Sequence, residues 1–235
     1  MARINRREVL ADGEVQVVYC VNRCVRRGFL CGTDELTGQN YEHRREWIRI
    51  RLEFLAGVFG IDILGFSVMS NRLHAILANA EEKSSGRFWE GRFKSTILPD
   101  ESAIAACMVY VDLNPVRAGI AATPEASDFT SAQERIADLK SADEVSTADA
   151  KDVRIEHGES AGWLAPVELE PKRKKVREKC SSRRASNKGC VFMSLAEYLE
   201  LLDWTGRQVK PGKRGAVARR VPPIHKDLEL SRSVD

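Results

Sequence analysis

The period of apolar and polar positions changes several times along the chain, and each change predicts an element. Residues 15–21 (VQVVYCV) are short, apolar and β-branched, as in a strand. Residues 41–59 place Ile48, Leu52, Leu55 and Phe59 at i, i+4, i+7 and i+11, one face of a helix that Gly60 stops. Strands are predicted at 61–69 and 72–78, and a fourth at 88–94. Asp100 suits the N-cap of a helix running from 101 to about 113, with Ile104, Cys107 or Met108, and Val111 facing inward. Pro115 disfavours helical geometry at Asn114 and ends that helix. The order is β-α-β-β and then β-α, with a gap where a second crossover helix would stand. Further on, Ser194 and Glu197 form a capping box ahead of the stripe Leu195, Tyr198, Leu199, Leu202, with Gly206 as its C-cap.

Charge divides the chain. The net charge of 235 residues is only +3. Yet residues 1–123 hold 16 basic and 15 acidic side chains, 124–170 hold 4 and 12, and 171–220 hold 15 and 4. This predicts a folded domain over 1–123, a mostly irregular acidic linker over 124–170, and a basic C-terminal extension over 171–235 with one helix near 194–205. No apolar run is long enough to span a bilayer, and the N-terminus has arginines without a secretory apolar core. A cytoplasmic, nucleoid-associated location without membrane contact is expected. The six cysteines, at 20, 24, 31, 107, 180 and 190, are then expected as reduced thiols.

The most informative short stretch is Met69-Ser70-Asn71-Arg72-Leu73-His74. On a strand, residues two apart share a face, so Arg72 and His74 stand side by side. Two neutral imidazoles at that spacing would ligate a metal, but the first position here is a guanidinium, which cannot. Residues Tyr110 and Asn114 are four apart and share one helical face.

Four stretches together, Val21-Asn22-Arg23-Cys24, Ser70 to His74, Phe88-Trp89-Glu90-Gly91-Arg92-Phe93-Lys94-Ser95, and Tyr110-Val111-Asp112-Leu113-Asn114-Pro115-Val116-Arg117-Ala118-Gly119, resemble the IS200-like single-tyrosine (HUH, Y1) transposases, in particular their REP-associated branch. The resemblance covers roughly residues 15–125. It implies a ferredoxin-like α/β sandwich, an antiparallel sheet with helices on one face. It also implies nicking and rejoining of single-stranded hairpin DNA through a 5′-phosphotyrosine, with a divalent metal (Mg²⁺ or Mn²⁺) held by a His-hydrophobic-His pair, and a possible homodimer. By this resemblance Tyr110 matches the nucleophile, and His74 and Asn114 match metal ligands.

Two departures stand out. Arg72 occupies the place of the first histidine, which predicts an impaired enzyme, since a guanidinium next to a divalent cation adds repulsion of roughly 4 kcal/mol per unit charge at 4 Å and an effective dielectric near 20. Arg72 could instead hold the scissile phosphate. Only about nine residues, 79–87, separate the predicted third and fourth strands, so one crossover segment looks shortened. Expected DNA contacts are Arg23, Arg26, Arg27, Trp89, Arg92, Lys94, Arg117, Lys172, Arg173, Lys174 and Lys175, with aromatic stacking on bases and cations on phosphates. Arginines 44, 45, 49 and 51 are either a solvated face or further DNA contacts. The alternative to a transposase is a non-catalytic DNA-binding or regulatory protein derived from one.

Overall fold

The computed structural model describes residues 16–23, 30–34, 37–79, 94–147, 162–169 and 189–224. Four strands, β1 (Val17–Arg23), β2 (Ile61–Val68), β3 (Arg72–Asn79) and β4 (Lys94–Leu98), form one open sheet in the order β2-β3-β1-β4. All neighbouring pairs are antiparallel. With helices α1 (His43–Val58) after β1 and α2 (Glu101–Asp112) after β4, this is an α+β fold with the ferredoxin-like strand order.

Period-2 alternation sorts the strands into two faces. On β3, Ala75 and Leu77 join a cluster with Leu52 and Ala56 of α1, Phe66, Val68 and Trp163. The intervening Ile76 joins the other cluster, with Ile104, Met108 and Val111 of α2. Helices therefore cover both faces, where one covered face was expected. The reason is that α2 carries its own inward stripe and crosses to the side of the sheet that Arg72, His74 and Ile76 occupy.

Most predicted elements are found, and the differences have physical causes. Asp100 caps α2, its Oδ1 accepting the Ala103 N–H at 2.7 Å. The chain does not leave helical geometry at Asn114. Instead it breaks at Leu113 and starts a single turn, α3 (Asn114–Ala118), in which Pro115 sits in the first turn where its missing N–H costs nothing. The predicted strand at 88–94 lies outside the described residues apart from Lys94, and β4 runs on from there. Since β3 and β4 both lie antiparallel to β1, they are parallel to each other. The link between them is residues 80–93, and it satisfies the crossover length of about a dozen residues that parallel strands need.

The acidic stretch 124–170 is more ordered than its composition predicts. It contains helix α4 (Ser131–Thr147), whose Ala132 and Ile136 are buried in the core. Residues 163–165 lie along β2, with Ala165 N–H donating to Ile63 O at 2.9 Å, and Trp163 is fully buried against Phe66. A buried carboxylate ties these parts together. Asp112 accepts from Ser131 Oγ (2.5 Å) and the Ala132 N–H (3.1 Å) on one oxygen, and from Tyr198 Oη (2.5 Å) on the other. Burial pushes the Asp112 carboxyl up, against the opposing effect of these donors and Arg135.

Tyr198 belongs to the C-terminal helix α5 (Leu195–Arg207), which begins with the predicted Ser194/Glu197 capping box. Gly206 is not its C-cap; it lies inside the helix at a close approach. A Cβ there would stand 3.0 Å from Val217 Cγ2 and 3.2 Å from Leu113 Cδ2. Among the described residues, Cys20, Cys31, Cys107 and Cys190 are reduced thiols. None of the described helices is long and apolar enough to cross a membrane.

Candidate nucleic-acid interface

The site grows out of the β1/β3 register. His74 lies opposite Val21, Arg72 opposite Arg23, and Ile76 opposite Tyr19. Directly paired residues share a face. Tyr19, Arg23, Arg72 and His74 therefore project to the side on which α2 packs, and Lys94, opposite Val21 on β4, joins them. Arg23, Arg72 and Lys94 are exposed, so one end of this face is cationic.

Tyr110, near the C-terminal end of α2, closes the arrangement. Its ring meets Tyr19 edge-on at 6.2 Å and His74 at 6.3 Å, while Tyr19 and His74 stack at 6.0 Å. The Tyr19 hydroxyl and His74 Nδ1 are hydrogen-bonded at 2.6 Å. Tyr110 is 42% exposed and His74 only 2%, so the cluster has a wet phenol above a buried imidazole. Burial, and secondarily the Arg72 charge, push His74 down to about 4, so its imidazole is neutral near pH 7. Burial also pushes the Tyr19 phenol well up, with the neighbouring Tyr110 adding to it, so Tyr19 keeps its proton.

Of the residues expected at a reactive centre, the structure brings Tyr110 and His74 into contact and sets Arg72 electrostatically against His74. Asn114 sits on the α3 turn just beyond Tyr110, with its Nδ2 buried and unpartnered. Sequence reading missed Tyr19. Its signal, an aromatic on β1 at the height of Ile76, becomes visible only once the strand register is known.

The donor set is thin for a divalent cation. It offers the Nε2 of one imidazole, whose Nδ1 is bonded to Tyr19, the carboxamide oxygen of Asn114, and a guanidinium on the same face that cannot ligate. Among the described residues, no group of three or more His, Cys, Asp and Glu is placed to hold a metal. The phenol hydroxyls and the guanidinium on this face are hydrogen-bond donors of the kind that bind an anion.

The other expected DNA contacts divide. Arg26, Arg27, Trp89, Arg92, Lys172, Arg173, Lys174 and Lys175 lie outside the described residues. Arg117, expected at a phosphate, is taken up within the fold. Its guanidinium donates to Thr205 O and Gln208 O, both at 2.6 Å, and ties the end of α5 to α3. Three of the four α1 arginines are also engaged internally: Arg45 with Glu42, Arg49 with Glu46, Glu53 and Glu134, and Arg44 over the Tyr41 ring at 4.0 Å. By contrast, Lys210, Lys213, Arg214, Arg219 and Arg220 are exposed on a segment held against α3 and α5, where Arg214 N–H donates to Arg117 O and Val217 N–H to Gly206 O. That basic segment therefore lies beside the turn that carries Asn114.

No family model and no curated relative matches the chain. One solved structure to which it is similar is a REP-associated tyrosine transposase bound to a REP hairpin. The two are 17% identical, the match covers 58% of this chain and 86% of that one, and the TM-score is 0.43.

Proposed function

We propose that this chain is a DNA-binding protein of transposase-like design. In this reading it holds a single-stranded, hairpin-flanked DNA phosphate at Tyr110, with the strand-transfer chemistry implied by its motifs largely lost. The observation that carries it is the meeting of an exposed Tyr110 with Tyr19 and neutral His74 at the cationic end of the sheet. Attack of the Tyr110 oxygen on phosphorus would form an O–P bond and release a 3′-hydroxyl, and it needs charge stabilisation on the phosphate oxygens. Arg72 is the group in reach of that task, through a bidentate guanidinium–phosphate pair. A fixed monocation gives less charge stabilisation than a divalent metal, hence the impaired chemistry.

The test is incubation of a labelled hairpin-flanked single strand with the protein and Mg²⁺ or Mn²⁺. The expected result is no covalent adduct with the wild type and a Tyr110-dependent adduct with Arg72→His. A wild-type adduct that Tyr110→Phe abolishes would refute the impairment.

A second reading, a purely binding or regulatory protein, draws on the docked basic segment 210–220. It predicts salt-sensitive DNA binding with a steep log–log slope that Tyr110→Phe leaves unchanged, and no adduct even with Arg72→His.

A further inference from the structure

Helix α1 has two apolar stripes, and only one of them is covered. Leu52 and Ala56 are sealed against the sheet. On the far side Trp47, Ile50, Phe54 and Val58 are 64%, 51%, 54% and 60% exposed. Their spacing of three, four and four residues puts them on one helix face over three turns. Rows of large exposed apolar side chains are uncommon on isolated proteins and mark interaction surfaces.

The flanks of this row say what fits it. In heptad terms Trp47 and Phe54 take position a, while His43, Ile50 and Gly57 take position d. The His43 ring already lies edge-on to Trp47 at 4.6 Å, extending the row toward the helix start. Arg44 and Arg51 fall at e on one flank, and Glu46 and Glu53 at g on the other. Arg51 leans toward the seam, its guanidinium 5.2 Å from the centre of the Phe54 ring. A second copy packed antiparallel would set e against e and g against g, arginine on arginine and glutamate on glutamate. Packed parallel, each g faces the e five residues further along the other helix, so Glu46 of either copy meets Arg51 of the other. The row is thus complementary to itself in one orientation only.

We infer that the outer face of α1 is a homodimer seam, with two copies of the chain packed parallel through Trp47, Ile50 and Phe54 and aligned by reciprocal Glu46–Arg51 pairs. The inference is independent of the DNA reading. A seam of about two heptads is at the small end of stable interfaces, so the dimer is reversible and depends on concentration.

Sedimentation velocity on the full chain tests it. The wild type is expected to show a monomer–dimer equilibrium, and Phe54→Asp to weaken it at least about tenfold. Glu46→Arg and Arg51→Glu should each weaken self-association by several-fold. Mixing those two variants should restore the dimer as a heterodimer, a rescue that loss of folding cannot mimic. A wild type that stays monomeric at roughly 100 μM overturns the inference. So does a dimer indifferent to Phe54→Asp, or one that Glu46→Arg and Arg51→Glu leave unchanged.

Discussion

The two faces of the β1–β3 pair are built from alternate residues of the same strands, yet they do opposite work. Toward α1, Cys20, Ala75 and Leu77, with Phe66 of β2, make a buried, apolar contact. Toward α2, the interleaved Tyr19, Arg72 and His74 bring a phenol, a guanidinium and an imidazole together, with Tyr110 closing the group from the helix. A shift of one residue in register would exchange these sets. The apolar face thus fixes the register, and the register assembles the polar face.

That division can be broken experimentally, and the largest effect should come from the apolar side. Phe66 is fully buried against Trp163. Phe66→Ala should cost about 3–5 kcal/mol of stability, measured by denaturant unfolding. Provided the variant is assayed well below its melting temperature, DNA affinity should be unchanged.

The next effect concerns acid stability on the polar side. His74 is held at about 4, below its ordinary 6.5, so the unfolded chain binds its proton first as the pH falls. Stability is therefore lost between about pH 6.5 and pH 4, by about 3 kcal/mol at the lower end. Glu134 works in the other direction. Burial raises its carboxyl to about 7, so its contribution is lost as the pH rises from about 4.5 to 7. The informative quantity is consequently the difference between wild type and His74→Gln. The variant should lack the loss on the acid side, and parallel stability–pH curves for the two proteins would contradict the placement of His74.

Smaller effects sharpen the contrast. Removing the Tyr19 hydroxyl in Tyr19→Phe takes away the His74 Nδ1 partner and should cost about 1 kcal/mol in thermal unfolding. Tyr110→Phe should cost less than about 1 kcal/mol, because Tyr110 is 42% exposed and water can replace its hydroxyl's contact with Tyr19.

Much of this was legible in the sequence, for stated reasons. Period-2 alternation put Arg72 and His74 on one face of β3. The stripes of α2 and α5 and the caps at Asp100 and Ser194 follow from local chemistry. What was not legible depends on partners distant in sequence. Half-exposed β4, Lys94 to Leu98, has little alternation of its own and is a strand because β1 offers it a ladder. Helix α4 is rich in Ala, Ser, Asp and Glu and is held by Asp112, nineteen residues before Ser131. Arg117 reads as a free cation until the α5 carbonyls it clamps are in place. The outer row of α1 was hidden by the arginines between its members, and Phe59, expected to face inward, lies past the helix end and is half exposed.

The account is tested most directly by anisotropy titration of a hairpin-flanked single strand, in EDTA and in Mg²⁺, with wild type and Arg72→Ala. Wild-type affinity should be the same within about twofold in both buffers, and Arg72→Ala should bind roughly tenfold more weakly in each, the loss of one charge-assisted contact. Binding that requires Mg²⁺ and is indifferent to Arg72→Ala would contradict the claim that a guanidinium receives the phosphate at this site.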